Sequence, residues 1–169
     1  MNTENIELYK PDLRFRRMSD ITYEEILSWN VKAVALDVDH TLFYDCAYVY
    51  VSHAGKWLRD MVKRGVKFVI VTNAGIDRPF FMWLRHGIPF VGFANKPKPD
   101  GYIKAAKKVG CKPEELAFIG DRLSTDVKGA NAVGALSVYV EPPAKDFLYF
   151  HNKKKRAREK ELLKQFFGE

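Results

Sequence analysis

Two carboxylates one residue apart, Asp37 and Asp39, follow directly on the apolar run Ala33-Val34-Ala35-Leu36. In extended chain alternate residues face the same way, so both acids can look into one pocket. Two anions that close repel unless one is protonated or a cation lies between them. Mg²⁺ suits such a pair, because it takes one or two carboxylates and leaves places for phosphate oxygens. An acidic turn that only ends a strand is the other reading. Thr72 and Asn73 follow a second apolar run; a threonine hydroxyl there can donate to a phosphate oxygen, or either side chain can cap the next helix. Asn95-Lys96-Pro97-Lys98-Pro99 is stiffened by its prolines. A lysine on such a turn is a positioned cation, suited to charge that develops on a phosphoryl group. Lys96 is the choice for that role, with Lys98 left to solvent. Asp121 follows Ile119-Gly120 and can complete a metal site. Asp126, five residues on, can cap a helix or hold the lysine by an ion pair.

Residues this far apart in sequence meet only if a fold brings them together. Five apolar runs read as strands: Ala33 to Asp37, Val66 to Val71, Pro89 to Gly92, Leu116 to Ile119 and Ala135 to Val140. Continuous apolar runs mark strands buried on both faces. Between them the pattern predicts helices over Ala54 to Arg64, Asp77 to His86, Pro99 to Val109 and Leu123 to Val133. Glycines 65, 87, 110 and 134 follow as stop signals. Alternating strands and helices predict an α/β fold, Rossmann-like and doubly wound, around a mainly parallel five-stranded sheet. In such sheets ligands bind beyond the carboxyl ends of the strands. Asp37 and Asp39, Thr72 and Asn73, Lys96, and Asp121 all fall there. The gap from Leu42 to Ala54 allows only a small flap, with Tyr44, Tyr48 and Tyr50 to line it. No gap allows a cap domain, so the site is expected to be open.

Taken in order and spacing, these motifs resemble the four signatures of the haloacid dehalogenase-like superfamily. The resemblance runs from about Lys32 to Val140. Val71-Thr72-Asn73, Lys96-Pro97 and Gly120-Asp121-x-Leu123-x-Thr125-Asp126-Val127, with Pro11-Asp12 ahead of the core, are similar to subfamily IIIA and its YqeG-type branch. The resemblance implies a Mg²⁺-dependent phosphomonoester hydrolase. Asp37 would be the nucleophile and Asp39 the general acid and base, with its backbone carbonyl on the metal. Thr72 and Lys96 would hold the phosphoryl group, with Val38 and Asn73 in substrate binding. Asp37, Asp39 and Asp121 would form the metal site, with Asp126 and Thr41 in support. The branch is similar to phosphatidylglycerophosphate phosphatases, which implies a lipid-borne substrate. His40 and Arg122 depart from the Asn and Gln that the branch more often carries. A phosphatase of soluble sugar or nucleotide phosphates and a non-catalytic phosphate-binding module are the alternatives.

The chain of 169 residues has the length of a single domain, with a core over about 31–141. Hydrophobic residues at 47% and charged residues at 29% exclude a disordered, collagen-like or membrane-bundle chain. Cys46 and Cys111 are too few and too far apart for a disulfide framework, which points to a cytoplasmic protein. The net charge of +7 suggests an anionic partner. Its densest part is Lys153-Lys154-Lys155-Arg156-Ala157-Arg158, at the start of a helix expected over about 152–167. Leu162, Leu163, Phe166 and Phe167 then share one helical side. Such a helix reads either as a peripheral element on an anionic membrane surface or as a tail packed on the core. No nucleic-acid partner is expected.

Overall fold

Strands form where the apolar runs lie. In the computed structural model, which describes residues 5–44, 47–143 and 153–168, β2 is Ala33–Leu36, β3 Phe68–Val71, β4 Phe90–Val91, β5 Leu116–Gly120 and β6 Leu136–Val140. With a further strand β1 at Leu13–Phe15, they pair in parallel in the order β1-β6-β5-β2-β3-β4. The sheet therefore has six strands rather than the five expected. The added edge strand, β1, is three residues long with Arg14 in its centre, too short and too polar to show a strand period. It is fixed from outside its own sequence: the Asp12 carboxylate accepts from Ser137 N (2.8 Å) and Oγ (2.9 Å) on β6. The Pro11-Asp12 element thus joins the N-terminal segment to the sheet.

Helices cover both faces. Alternation along the central strands sorts their side chains. Val34, Leu36, Phe68, Ile70, Ala117 and Ile119 face a core closed by α1 (Tyr23–Ser28), α2 (Ala54–Lys63) and α3 (Asp77–His86). Ala33, Ala35, Val69, Val71, Leu116 and Phe118 face the opposite core, closed by α4 (Pro99–Val109) and α5 (Lys128–Ala132). The chain crosses from one face to the other between β4 and β5, so β2 and β5 flank a topological switch point. The helix expected over Leu123 to Val133 is in two parts. Leu123–Val127 is a turn of π-helix, and α5 continues from it.

After β2 the chain turns tightly. The Val38 carbonyl accepts the amides of Leu42 and Phe43, and His40 takes a positive φ of 62°. A small flap follows, in which Tyr44 N donates to Val49 O and Val51 N to Leu42 O. Tyr50 stacks on Phe43 (4.5 Å) and Tyr48 meets Phe81 edge-on (5.7 Å). Cys46 lies outside the described residues.

The C-terminal helix α6, Lys153–Phe167, packs on the domain. Leu162 and Leu163 are buried against Tyr9, Leu123, Val127 and Tyr139, with Phe166 beside them. Of the two readings of this apolar stripe, packing on the core is the one that Leu162, Leu163 and Phe166 follow. Phe167 remains 41% exposed, beneath the Arg14 guanidinium. No helix among the described residues is long and apolar enough to cross a membrane. Truncating a buried leucine removes transfer energy and leaves a cavity. Leu163→Ala should lower the unfolding free energy by about 2–3 kcal/mol, read from the urea midpoint; an unchanged midpoint would detach α6 from the core.

Candidate active site

Each polar group at the strand ends is held by local structure. Asp37 continues β2 by donating its N–H to Ile119 O at 3.0 Å. Its carboxylate is reached by Lys96 Nζ at 2.6 Å. The same ammonium contacts Asp126 Oδ1 at 2.7 Å and the Val71 carbonyl at 2.9 Å. Lys96 is 5% exposed, and its three N–H groups meet three oxygens from three elements. Its backbone is fixed as firmly. Lys96 N donates to Asn73 Oδ1 (2.6 Å), and Asn73 Nδ2 donates to Lys96 O (3.0 Å). Asn73, considered for substrate binding or a helix cap, therefore clamps the lysine turn. Lys98 is exposed.

Asp126 comes back toward the sheet because the π-turn is wide. The amides of Asp126 and Val127 both donate to Arg122 O, and Asp126 Oδ2 accepts Arg122 N at 3.1 Å. The Asp126 side chain lies directly over Gly120, where any Cβ would collide with it. Glycine is needed at 120 for this close approach. Tyr102 supports the turn from below, donating its hydroxyl to Thr125 O at 2.7 Å.

The structure brings Asp37, Asp121 and Asp126 together, with one carboxylate oxygen of each within 4.8 Å of the others. Asp121 is fully buried, and its Oδ1 has no hydrogen-bond partner. An all-oxygen donor set with an unpartnered buried carboxylate oxygen fits a hard divalent cation. The Asp39 carboxylate is elsewhere, paired with Arg78 at the start of α3. The Asp39 carboxylate, expected among the metal ligands, is thus not part of the cluster of three acids, although Asp39 lines the same cavity.

Burial dominates the electrostatics. It pushes the Asp37 carboxyl up to about 8, against the pull of Lys96, with Asp126 and Asp121 adding to the rise. Burial also raises Asp121, opposed by Arg156. For Lys96 burial acts to depress the ammonium, but Asp126 and Asp37 outweigh it and hold the group above the ordinary lysine range.

A cavity of about 170 Å³ opens here, lined by Asp37, Asp39, Thr72, Lys96, Arg122 and Asp126 among others. Thr72 Oγ1 accepts Ala74 N (3.0 Å), which orients the hydroxyl at the cavity wall. Val38, by contrast, turns its side chain into the core. Thr41 is buried beside a larger neighbouring cavity of about 320 Å³, which runs from His40 past Arg16 and Arg17.

Three contacts escaped the sequence reading. Arg78 lies in a helix start with no motif around it. Arg156 and Glu159 sit in a charge run that reads as solvated. Their spacing with Leu162, Leu163 and Phe166 on one helical face was the available signal.

This arrangement of strand-end acids around a buried lysine belongs to a recognised class. Residues 31–134 match the haloacid dehalogenase-like hydrolase family, and the chain is a member of it. It is a phosphatase of this family. It is 31% identical to "Probable phosphatase YqeG" of Bacillus subtilis, over 82% of this chain and 80% of that one. It is 31% identical to the glyceraldehyde 3-phosphate phosphatase of Pyrococcus furiosus over 67% of its length, spanning about half (51%) of that relative. The deoxy-D-mannose-octulosonate 8-phosphate phosphatase of Haemophilus influenzae shares the fold, with a TM-score of 0.52 at 16% identity over 81% of this chain and 90% of that one.

Lys96→Ala should reduce kcat about 100- to 1,000-fold, the range for loss of one preorganised electrostatic group. Lys98→Ala should leave the rate of phosphate release near wild type. The reverse ranking would reassign the lysine.

Proposed function

We propose that the chain is a single haloacid dehalogenase-like domain, and that it hydrolyses phosphomonoesters through an aspartyl-phosphate on Asp37, with Mg²⁺ held by Asp37, Asp121 and the Asp39 backbone carbonyl. The observation that carries this reading is Lys96 Nζ set 2.6 Å from Asp37 and 2.7 Å from Asp126. An ammonium so placed orients the nucleophilic carboxylate and stands beside the position of the transferring phosphoryl group.

Asp37 attacks phosphorus and the ester oxygen leaves as an alcohol, protonated by Asp39. Asp39 then takes a proton from the water that hydrolyses the acyl phosphate, which returns Asp37 and releases phosphate. Arg78 pairs with the ionised Asp39 carboxylate, the form that takes the proton from water. Thr72 donates to a phosphoryl oxygen, and Asp126 keeps Lys96 oriented. Bound Mg²⁺ would supply Lewis-acid neutralisation of charge on the phosphoryl oxygens. The small flap after β2, with no separate cap domain among the described residues, leaves room for the leaving alcohol toward the cavity beside His40.

Phosphatidylglycerophosphate is the substrate that the YqeG-type resemblance supports, and its lipid would bring the enzyme to an anionic surface through the exposed basic side of α6. A soluble phosphomonoester is the second reading. The packing of Leu162 and Leu163 on the core favours it, as do relatives named for small phosphorylated substrates.

Phosphate release from a panel of lipid and soluble phosphomonoesters tests this reading. Wild type should turn over at least one class, and Asp37→Asn should abolish turnover with an unchanged circular-dichroism spectrum. Wild-type rates in Asp37→Asn would end covalent catalysis at Asp37.

The raised Asp37 carboxyl sets a pH dependence. Its folded form binds a proton more tightly than the unfolded chain, so this contribution to stability is full below about pH 4 and lost as pH rises through about 8. A cation binds the ionised carboxylates and restores what is lost. The Mg²⁺-induced rise in melting temperature should therefore be larger near pH 8 than near pH 5, and should shrink in Asp37→Asn. A pH-independent Mg²⁺ effect would place the cation away from Asp37.

A further inference from the structure

Helix α6 takes no part in the chemistry above, yet it reaches the acidic cluster. Arg156 is 9% exposed in a helix whose other described basic residues are exposed. Its Nη1 donates to the backbone carbonyl of Asp121 at 2.5 Å, and its Nη2 donates to Asp121 Oδ2. One planar fork thus grips two oxygens of a single residue. That fixes the Asp121 backbone and side chain together, which a lysine ammonium cannot do with the same geometry. The other carboxylate oxygen, Oδ1, is left buried and unpartnered.

Arg156 is itself held. Glu159, one turn on and 4% exposed, lies 3.4 Å from Nη1. Glu159 Oε1 accepts Ser124 N at 3.0 Å and Ser124 Oγ at 2.8 Å. Ser124 belongs to the π-turn that carries Asp126. Leu162 and Leu163 fasten the far end of the helix to Leu123 and Val127 of that turn. The arginine is therefore referenced to the same short segment as two of the three clustered acids.

We infer that Arg156 is a positioning residue for the cation site: from α6 it holds Asp121 so that Oδ1 is the oxygen presented to the metal. The inference rests on the reading of Asp37, Asp121 and Asp126 as the cation site. A guanidinium that occupied the cation's own place would contact all three acids. Among the described ion pairs Arg156 meets only Asp121 and Glu159, while Lys96 meets Asp37 and Asp126.

The test uses the full chain and Mg²⁺ titration by calorimetry. Arg156→Lys keeps the positive charge, so repulsion between residue 156 and the cation is nearly unchanged and only the fork is lost. The Mg²⁺ dissociation constant should rise about 10-fold or more, the range for loss of a group that orients a ligand. Activity at low Mg²⁺ should fall and be recovered by added Mg²⁺, with the substrate KM at saturating Mg²⁺ near wild type. Glu159→Gln, which disturbs the support of Arg156, should raise the constant by less, and it decides the matter if Arg156→Lys does not fold. Unchanged Mg²⁺ affinity with only a lower melting temperature would make Arg156 a structural contact and overturn the inference. Tighter Mg²⁺ binding would make it a competitor and also overturn it. Asp121→Asn, run in parallel, separates the two levels: wild-type Mg²⁺ binding by that variant would remove the cation site itself, whatever Arg156 does.

Discussion

A buried ammonium has to be surrounded by acceptors, and the position of Lys96 Nζ is the constraint to which the rest of the site conforms. The three oxygens it meets belong to the end of β2, the end of β3 and the π-turn after β5. Removal of one partner from a buried pair costs about 3–5 kcal/mol, because the other charge is left uncompensated. The three elements are therefore tied to one another through a single nitrogen. The Asn73 clamp serves the same end, since it fixes the backbone from which that nitrogen is projected.

The difference between the two faces of the sheet makes this convergence possible. On one face, Leu36, Phe68, Ile70 and Ile119 fill a thick core beneath α2 and α3. On the other, Ala33 and Ala35 leave room for the Tyr102 ring, which lies 4.8 Å from Phe118. The small residues of β2 thus admit an aromatic ring whose hydroxyl ends under the π-turn. Gly129 completes the fit, because a side chain there would run into the Tyr102 ring. Burial raises the Tyr102 hydroxyl further above its ordinary range, so it stays protonated and remains a donor to Thr125 O and Asp126 O. A packing choice in β2 is in this way transmitted to the height of Asp126 above Gly120.

The parts of this molecule that were legible in its sequence are those with a local signature. Central strands show as apolar runs because both their faces are covered, and four helices show through period and glycine stops. The strand-end acids and Lys96 show because a charged group directly after a buried strand has few places to go. Strand β1 was not legible, since Leu13–Phe15 is held by a partner 125 residues away at Ser137 rather than by its own pattern. Arg78, Arg156 and Glu159 were hidden for a different reason. Charged residues on helices are normally solvated, and only the tertiary fold reveals that Arg156 has an acid to meet. The π-turn was likewise invisible: its residues suit an α-helix, and the departure follows from the Asp126 side chain bonding back to Arg122 N.

The pairing of β1 with β6 also bears on how the chain reaches this state. Parallel contacts between distant segments form late, because a long loop must close before they bring any stabilisation. During synthesis the N-terminal segment emerges first and has no strand to join until Leu136–Val140 has left the ribosome. Once β6 has joined β5, and until β1 docks, Val138 and Val140 line an unpaired, apolar sheet edge of the kind that templates aggregation. Asp12 and Ser137 are placed to shorten that interval, since three hydrogen bonds between them set the register as soon as the two segments meet. The same two residues that terminate the sheet in the folded protein thereby act as a latch against misassembly of the nascent one.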